Sequence, residues 1–559
     1  MKNKIICAIM LAGLLSMGLA GCQKGDLIDN PNAALTNSIV PPSLILNRIT
    51  NEIYQGGGVL DQVPGYQNEG PWNQIMRWNQ FFVSNYSYYW GSNSYAWSNT
   101  ATMGSVLKYV ELLESQAVKQ DGALNVYSAL AKFFRAYLFV WYTQRVGDIP
   151  MSQAGSTSIL TPKYDLQHDV YKNCLALLDT ANTMMAAIQA NPATPGLANT
   201  KVDATGDIFG LTYLGWQKVI NTYKLRVLIS LSKRATDNAD LNIPTQFANI
   251  VNNPATYPIM TGNGDNMVFN YNATTSKDYY PLYPNYTPYV NYSDMCGTLE
   301  SLLTTNQDPR TFIYSTPAPA LVNAGTSYTS FAAYVGADID LTQSVLLANS
   351  NAGLYSYNNY LRYYASSKTT ANVSGSTCEP YILIGYPEMC FNIAEAANRG
   401  WLSGVTTNTW YLNGINASMA WFGLSDGTKV TVGMPIISPN GNNFSNVLGP
   451  VTVSVSNFLA QPGVVYAGDN ATGLTQILQQ KYVAFWQNSG YEAYYNWRRT
   501  GVPTFQQGGS GIGTANNMIQ LRWEYPNDES VANTANYQAA LQSQYGGVDD
   551  VTKPMWLIK

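Results

Sequence analysis

Aromatic side chains are the residues of this sequence best suited to bind a ligand. Tyr, Trp and Phe make up 13% of the 559 residues. A flat ring stacks well on the C–H face of a sugar ring, while hydroxyl groups form hydrogen bonds around it. Charged residues are only 11%, against about 25% in typical domains. This composition favours a neutral, hydroxyl-rich ligand. The net charge of −4 argues against binding to nucleic-acid phosphates.

The first ring-rich segment, residues 71–90, reads PWNQIMRWNQFFVSNYSYYW. Trp72 and Trp78 lie six positions apart, which does not place them on one face of a helix. Some of these rings must therefore pack in the core, and we expect at least one to contact ligand. The candidates are Trp72, Arg77, Trp78, Tyr88 and Trp90.

The second segment, residues 279–292, carries a tyrosine at every third position with prolines between them. A polyproline II helix has three residues per turn, so these rings would line one edge. That edge would either bind ligand or pack the loop onto the helices, and both interpretations remain open. The candidate ligand contacts are Tyr280, Tyr283, Tyr286 and Tyr289.

The third segment, residues 355–364, alternates rings with polar residues. Such alternation is typical of a half-buried strand. Its candidate ligand contacts are Tyr357 and Arg362. By contrast, Arg498 and Arg499 follow a helical stretch, where arginine can bond terminal carbonyls and complement the helix dipole. We therefore assign these two arginines to the scaffold.

Catalytic patterns are missing from the sequence. His168 is the single histidine, so a zinc site with two histidines on one helix is impossible. It starts a helical stretch without a Gly-x-Ser-x-Gly string, which favours a structural role. Asp338 and Asp340 could serve glycoside hydrolysis or calcium binding, but a solvated turn explains them as well. We predict no catalytic residue, no bound metal and no cofactor, although calcium remains possible.

Helical periodicity dominates the elements that must position these side chains. Apolar residues at three- and four-residue steps indicate amphipathic helices, which follow one another in pairs. Regions 254–378 and 430–468 are instead rich in turn-forming or β-branched residues and predict loops and short strands. The predicted helix pairs are 103–118 with 127–142, 166–188 with 211–235, 386–401 with 408–421, and 474–487 with 491–499.

The amino terminus reads as an export signal. Lys2 and Lys4 precede an uncharged apolar run at 5–20, and the string LAGC ends at Cys22. A charged start, a short apolar stretch and small residues before a cleavage site are typical of secretory signals. LAGC resembles a bacterial lipobox, in which the cysteine is lipidated and the chain is cut just before it. This resemblance implies a mature protein that begins at Cys22 and carries acyl chains, of which two or more anchor stably.

Apart from Cys7 in the signal and Cys22, four cysteines remain. They allow three disulfide pairings, and the sequence does not choose among them. An exported chain can oxidise them, but a buried free thiol is an equal alternative for Cys390. The four are Cys174, Cys296, Cys378 and Cys390.

Several strings in order along the chain resemble the SusD/RagB family, in particular its SusD-like subgroup. They are IDNPNAALTNSIVPPSLIL, FFRAYLFVWYTQRVGDIPM, PEMCFNIAEAANRGW, QKYVAFWQNSGYEAYYNWRRTGVPTF and LRWEYPNDESVANTANYQAAL. The segment at about 240–375 contains no matching motif. The resemblance therefore covers both ends of the chain and leaves the middle, where we expect ligand contacts, without a counterpart.

The resemblance implies a mainly α fold: a tetratricopeptide-like scaffold of helix pairs with an irregular, loop-rich ligand-binding region and a few short strands. We expect a signal peptide at 1–21 and one body at 22–559. Its scaffold would cover about 40–240 and 380–559, with a ligand-binding insertion at about 240–380.

The implied function is non-catalytic. We expect an outer-membrane lipoprotein, facing the cell exterior, that binds oligosaccharide or polysaccharide nutrients and passes them to a TonB-dependent, SusC-like transporter. Two alternatives remain: a peptide-binding member of the same family, and a surface glycoside hydrolase.

Overall fold

Long α-helices form the scaffold of the protein. The computed structural model describes residues 39–55, 74–86, 92–95, 104–156, 158–203, 207–271, 293–363, 379–436 and 443–559. The helices are α1 (Pro42–Gln55), α2 (Gln74–Trp78), α3 (Gly104–Asp121), α4 (Val126–Val146), α5 (Gln167–Gln189), α6 (Tyr213–Ser230), α7 (Ile243–Asn252), α8 (Gly297–Thr305), α9 (Thr311–Tyr314), α10 (Pro319–Asn323), α11 (Gln343–Asn351), α12 (Tyr360–Tyr363), α13 (Tyr386–Asn398), α14 (Thr407–Trp421), α15 (Val455–Leu459), α16 (Ala471–Ala484), α17 (Glu492–Thr500), α18 (Asn527–Ala532) and α19 (Thr534–Tyr545).

Capping residues explain where the long helices begin and end. Asn125 precedes α4, and its side-chain oxygen accepts from the Ser128 backbone N–H at 2.8 Å. Thr212 caps α6 in the same way through the Gly215 N–H at 3.0 Å. Such caps satisfy backbone donors that have no partner within the helix. At the other end, α17 stops at Gly501, whose positive φ of 74° suits a residue without Cβ.

Three of the four predicted helix pairs are confirmed: α3 packs on α4, α5 on α6, and α13 on α14. The pairing predicted for α16 and α17 is wrong in detail. They meet at Lys481 and Asn496, but α16 packs mainly on α13 and α14, and α17 packs on α6. The intervening turn contains Gln487, Ser489 and Gly490 with positive φ. A turn with several residues in this conformation redirects the chain.

Helix α6 lies at the centre of the scaffold. It contacts α4, α5, α7, α13, α17 and a short strand, and its residues from Trp216 to Ile229 are largely buried. A helix enclosed on all sides is expected to be apolar all round. The side chains of Lys224 and Arg226 break this rule and are nevertheless buried.

In the part of the chain that the structure describes, the strands form three separate antiparallel pairs. β1 (Phe82–Ser84) pairs with β3 (Ser293–Met295), β2 (Met267–Phe269) with β4 (Tyr381–Ile384), and β5 (Lys429–Ile436) with β6 (Asn443–Thr452). The last pair confirms the strands predicted beyond residue 430. One hydrophobic core connects the helices from α1 to the last residues described. Within the described ranges, each helix is too short or too polar to cross a membrane.

Candidate functional site

Most of the predicted ligand contacts lie outside the described residues. These are Trp72, Tyr88, Trp90, Tyr280, Tyr283, Tyr286 and Tyr289, together with the lipidation candidate Cys22. The structure does show where the described chain leads into the ring-rich segments and returns from them. Those points define the candidate site.

The described residues on the two sides of segment 87–91 lie beside the β1–β3 pair. Asn93 fastens these two sides together: the Ser84 N–H donates to Asn93 Oδ1 at 2.8 Å, and Asn93 Nδ2 donates to the Ser84 carbonyl at 2.7 Å. In the same pair, Ser84 lies opposite Ser293, where the chain returns from segment 272–292. Two ring-rich segments are therefore attached to the same strand pair.

The β2–β4 pair holds two further attachment points. Phe269 pairs with Tyr381, so the strand just before segment 272–292 lies next to the strand just after segment 364–378. Arg362 forms an ion pair with Glu379 across the latter segment. We call the described residues that flank these segments the attachment region. It consists of Phe82 to Tyr86 with Asn93, Ser293 to Met295, Arg362 to Tyr363, and Glu379 to Tyr381.

The turn at Gly490 joins the two strand pairs. Its N–H donates to Tyr381 Oη at 2.8 Å, and its carbonyl accepts from Asn79 Nδ2 at 2.8 Å. Asn79 stands between α2 and β1, whereas Tyr381 opens β4. This turn therefore fixes the two halves of the attachment region relative to each other.

Sequence reasoning missed a buried polar network in the attachment region. Asp294 on β3 accepts from Ser350 Oγ at 2.7 Å and from Asn85 Nδ2 at 3.0 Å. Burial raises the pKa of Asp294 to about 8, and these two hydrogen bonds oppose that effect only in part. A carboxyl group kept protonated at neutral pH explains how it stays buried without a cation. Asp294 is the second residue after segment 272–292, but no sequence pattern marks it.

Trp78 occupies the core, and this position does not support ligand contact. It is 0% exposed, and its Nε1 donates to the Ser94 carbonyl at 3.3 Å. Its ring packs against Tyr491 and Trp523 at centroid distances of 5.6 and 5.5 Å. Surrounded by other rings, the indole has no face left for a sugar. Arg77 beside it is 6% exposed, which likewise favours a scaffold role.

Tyr357 is also fully buried, and its hydroxyl donates to the Ser350 carbonyl at 2.6 Å. Through Ser350, its side chain contacts the Asp294 network, and it does not face solvent. The half-buried strand predicted around it is wrong. Tyr357 and Asn358 make isolated β-bridges, and the chain then enters the short helix α12. The pattern misled because the polar residues from Ser356 to Asn359 are themselves buried.

The scaffold role predicted for Arg498 and Arg499 agrees with their surroundings, since both are buried. Arg499 pairs with Glu395 on α13. Arg498 donates to the Leu521 carbonyl at 2.9 Å and to the Gln144 carbonyl in the last turn of α4. The carbonyls that Arg498 binds belong to other segments of the chain and not to its own helix.

The C-terminal end of α4 is capped by distant residues. Thr143 O accepts from Gln167 Nε2 at 2.8 Å, Arg145 O from the Trp523 N–H at 2.9 Å, and Val146 O from the Tyr545 hydroxyl at 2.7 Å. Thr143 O also accepts from the local Gly147 N–H at 2.8 Å. For Arg145 and Val146, and for Gln144 with Arg498, the distant donors satisfy carbonyls that the helix itself cannot.

The remaining candidate side chains, those of His168, Asp338 and Asp340, form hydrogen bonds with neighbouring residues. His168 contacts Asp169 through Nδ1 at 2.7 Å and Asp240 through Nε2 at 3.1 Å. Burial lowers the pKa of His168, but the two carboxylates outweigh it and the pKa is raised overall. Asp340 accepts from the Gly509 N–H at 3.2 Å, and Asp338 from Gln506. Within the described ranges, no three His, Cys, Asp or Glu side chains gather as metal ligands do.

The cysteines that the structure describes are free. Cys174, Cys296 and Cys390 are buried thiols, and burial raises the pKa of each above its ordinary value. A buried thiol with a raised pKa is unreactive. Cys378 lies outside the described residues.

Comparison with known proteins gives these features a context. A family model described as SusD-like, starch-binding and associating with the outer membrane matches residues 40–526. Among curated protein sequences, none matches the chain.

Solved structures of the same fold cover nearly the whole chain. A SusD homologue from Bacteroides fragilis is 26% identical with a TM-score of 0.74, covering 93% of this chain and 100% of its own. A second homologue from that species is also 26% identical, with a TM-score of 0.70, and covers 93% and 99%. A chitin-binding SusD homologue from Flavobacterium johnsoniae is 20% identical with a TM-score of 0.60, covering 92% and 98%. Because the family model spans most of the helical scaffold and the attachment region, this chain belongs to the SusD-like family of outer-membrane nutrient-binding proteins.

Proposed function

We propose that this protein binds oligosaccharide or polysaccharide nutrients at the cell surface and passes them to a TonB-dependent, SusC-like transporter, without breaking them down. Membership of a family described as starch-binding and associated with the outer membrane supports the nutrient-binding role. The chitin-binding relative favours a glycan ligand over a peptide. The low charge of the chain favours it as well.

The attachment region is the basis for the proposed location of the site. Segments 87–91, 272–292 and 364–378 all leave from it or return to it, and segment 56–73 ends at α2 just before it. These segments contain Trp72, Tyr88, Trp90 and the tyrosine row from Tyr280 to Tyr289. Rings attached to one part of a rigid scaffold can act together on one ligand.

Stacking on these rings would provide apolar contact, and neighbouring Asn, Ser and Tyr side chains would provide hydrogen bonds. Such a site holds its ligand without activating a bond. The surroundings of His168 agree with this, because both ring nitrogens already contact carboxylates. Neither nitrogen is left to take a proton from a nucleophile.

Anchoring completes the proposal. The lipobox-like LAGC string places the acylated residue at Cys22, 17 positions before the first residue described. Two or more acyl chains at that position would hold the protein stably at the outer membrane. A tethered binding protein of this kind would meet its transporter at the same surface.

The decisive experiment presents the unlipidated protein, produced from residue 23 onward, to a polysaccharide panel that includes amylopectin and soluble chitin oligosaccharides. We expect retardation in an affinity gel by at least one polysaccharide, with no new reducing ends after prolonged incubation. Release of reducing ends would show a hydrolase. If the protein binds a peptide mixture and binds none of the glycans, the peptide-binding alternative is correct.

The transporter is tested separately in the native organism. Antibody against this chain should co-purify a large outer-membrane barrel from mild-detergent extracts, and a Cys22→Ala variant should lose both membrane fractionation and that partner. A variant that stays in the membrane fraction would contradict the proposed anchor.

A further inference from the structure

A cleft lies on the helical scaffold between α5, α6 and α7. Its volume is about 360 Å³, within the range of about 300–1,000 Å³ that small-molecule sites occupy. All of its walls belong to the described part of the chain, so it is distinct from the ring-rich segments. Its polar lining includes Lys172, Asp179, Lys224, Asp240, Asn249 and Tyr257.

Lys224 is the feature that distinguishes this cleft from an ordinary groove between helices. It projects from the central helix α6 and is 4% exposed. Its Nζ donates to Asp179 Oδ1 on α5 at 2.5 Å. Burying a lysine is costly unless it is paired, and the ion pair with Asp179 offsets part of that cost. The ammonium group therefore stands at the floor of the cleft, fixed by one wall.

A second ion pair stands at one end of the cleft. Lys172 Nζ on α5 donates to Asp240 Oδ2 at 2.9 Å, and Asp240 also contacts His168. The two lysines and two aspartates cancel formally. A ligand with a net charge of either sign would meet a like charge beside each opposite one. A neutral ligand would not.

The remaining walls fit a molecule with alternating hydroxyl and C–H surface. Asn249 and Tyr257 offer an amide and a phenol at the far side, with Asn249 Nδ2 and Tyr257 Oη 3.4 Å apart. Leu175, Leu241 and Ile250 contribute the apolar part of the lining. Hydroxyl groups can donate to the carboxylates and accept from the ammonium and amide groups. Lys172 and Asp179 are seven residues apart on α5, about 10 Å at 1.5 Å per residue.

We infer that the α5–α7 cleft is a second binding site, for a small neutral polyhydroxyl molecule of one or two sugar rings. The paired charges recognise hydroxyl groups, and the apolar side chains of the lining contact the carbon skeleton. Because the cleft uses none of the ring-rich segments, its occupancy is independent of the binding proposed above.

The test measures binding of three probes of similar size by saturation-transfer NMR and calorimetry on the protein from residue 23 onward. These are glucose, gluconate and glucosamine, which are neutral, anionic and cationic. We expect glucose to bind at least fivefold more tightly than either charged probe. Tighter binding of gluconate or glucosamine would overturn the assignment to a neutral ligand.

Two exposed positions on α7 locate the site. Asn249→Leu places an apolar group in the cleft and should weaken glucose binding at least fivefold, whereas Asn252→Leu, on the same helix outside the cleft, should not. Both variants should melt with the unmodified protein, since both positions are exposed. Equal glucose binding by both variants would overturn the proposal. A Tyr283→Ala/Tyr286→Ala variant should keep full glucose binding in the cleft, which separates this site from the ring-rich one.

Discussion

Arg499 on α17 donates through two guanidinium nitrogens to both carboxylate oxygens of Glu395 on α13, which lies 104 residues earlier. Both side chains are buried, and Lys481 and Arg399 also approach the same carboxylate. Burial alone would raise the pKa of Glu395, but Arg499, Lys481 and Arg399 together outweigh burial and the pKa is lowered to about 2. This pair joins two helices that the sequence gives no reason to connect.

Removing Arg499 should destabilise the protein strongly. An Arg499→Leu variant leaves the Glu395 carboxylate buried without its bidentate partner, a change that costs about 3–5 kcal/mol. Urea unfolding followed by circular dichroism measures the loss. Arg399→Leu is the matched control and should cost less, because Arg399 is partly exposed and Arg499 remains. A double variant, Glu395→Leu/Arg499→Leu, should lose less than the two single variants together. Additive losses would contradict a coupled pair.

The protein should become less stable between about pH 4 and pH 8. The pKa of Asp294 is about 8 in the folded state against an ordinary 3.8, so the folded state holds this proton more tightly than the unfolded state. The resulting stability is complete below pH 4 and is lost as pH rises to 8. Burial raises the pKa of Glu300 to about 8 as well, which adds a slope of the same sign.

An Asp294→Asn variant should reduce that pH dependence by up to about 1 kcal/mol per pH unit. Urea unfolding at pH 5, 6.5 and 8 measures it, and Glu300→Gln should remove the other part of the slope. A profile for Asp294→Asn parallel to that of the unmodified protein would show that Asp294 is ionised in the folded state.

Alanine substitutions of Trp78 and Trp72 should have different effects on stability and on binding, although the two residues lie in the same ring-rich segment. Trp78→Ala removes a fully buried indole and should cost about 3–5 kcal/mol of stability. Trp72→Ala is expected to reduce retention by the polysaccharide that the panel identifies, with a much smaller effect on stability. Thermal melting and affinity gels distinguish the two. A Trp72→Ala variant that melts early and binds normally would place that ring in the core too.

The tyrosine row is tested by Tyr283→Ala/Tyr286→Ala. If the row binds ligand, polysaccharide affinity should fall by about tenfold or more while the melting temperature stays nearly unchanged. The reason is that rings stacking on a ligand contribute to binding and not to the stability of the fold. If the row packs the loop onto the helices, the melting temperature should fall instead. The matched control is Tyr283→Phe/Tyr286→Phe, which keeps the rings and should keep most of the affinity.

Sequence patterns predicted the long paired helices well because each carries a local signal. In α4, for example, Asn125 caps the start and an apolar stripe follows. The helices α8 to α12 were not predicted, since they lie in the region 254–378 for which loops and short strands were expected. The pairing of α16 with α17 was predicted less well, because Arg498 and Arg499 bind partners 354 and 104 positions away. No local pattern encodes such partners.

The site was harder to predict than the scaffold. An aromatic ring serves equally as a core residue and as a ligand platform, so the spacing around Trp78 could not distinguish the two. Asp294 carries no pattern at all, since its role depends on Asn85 and Ser350 meeting it after folding.

The capped end of α4 also has a consequence in time. Arg498, Trp523 and Tyr545 follow the carbonyls they cover by 354 to 399 positions, so a ribosome has made most of the chain before these donors exist. Until then, water must hydrate Gln144, Arg145 and Val146, and the earliest hairpin stays unfinished. Contacts of such long range fold slowly. A chain that stops before residue 498 would never close them, so we expect nascent and truncated forms to be recognised by chaperones and proteases as unfinished.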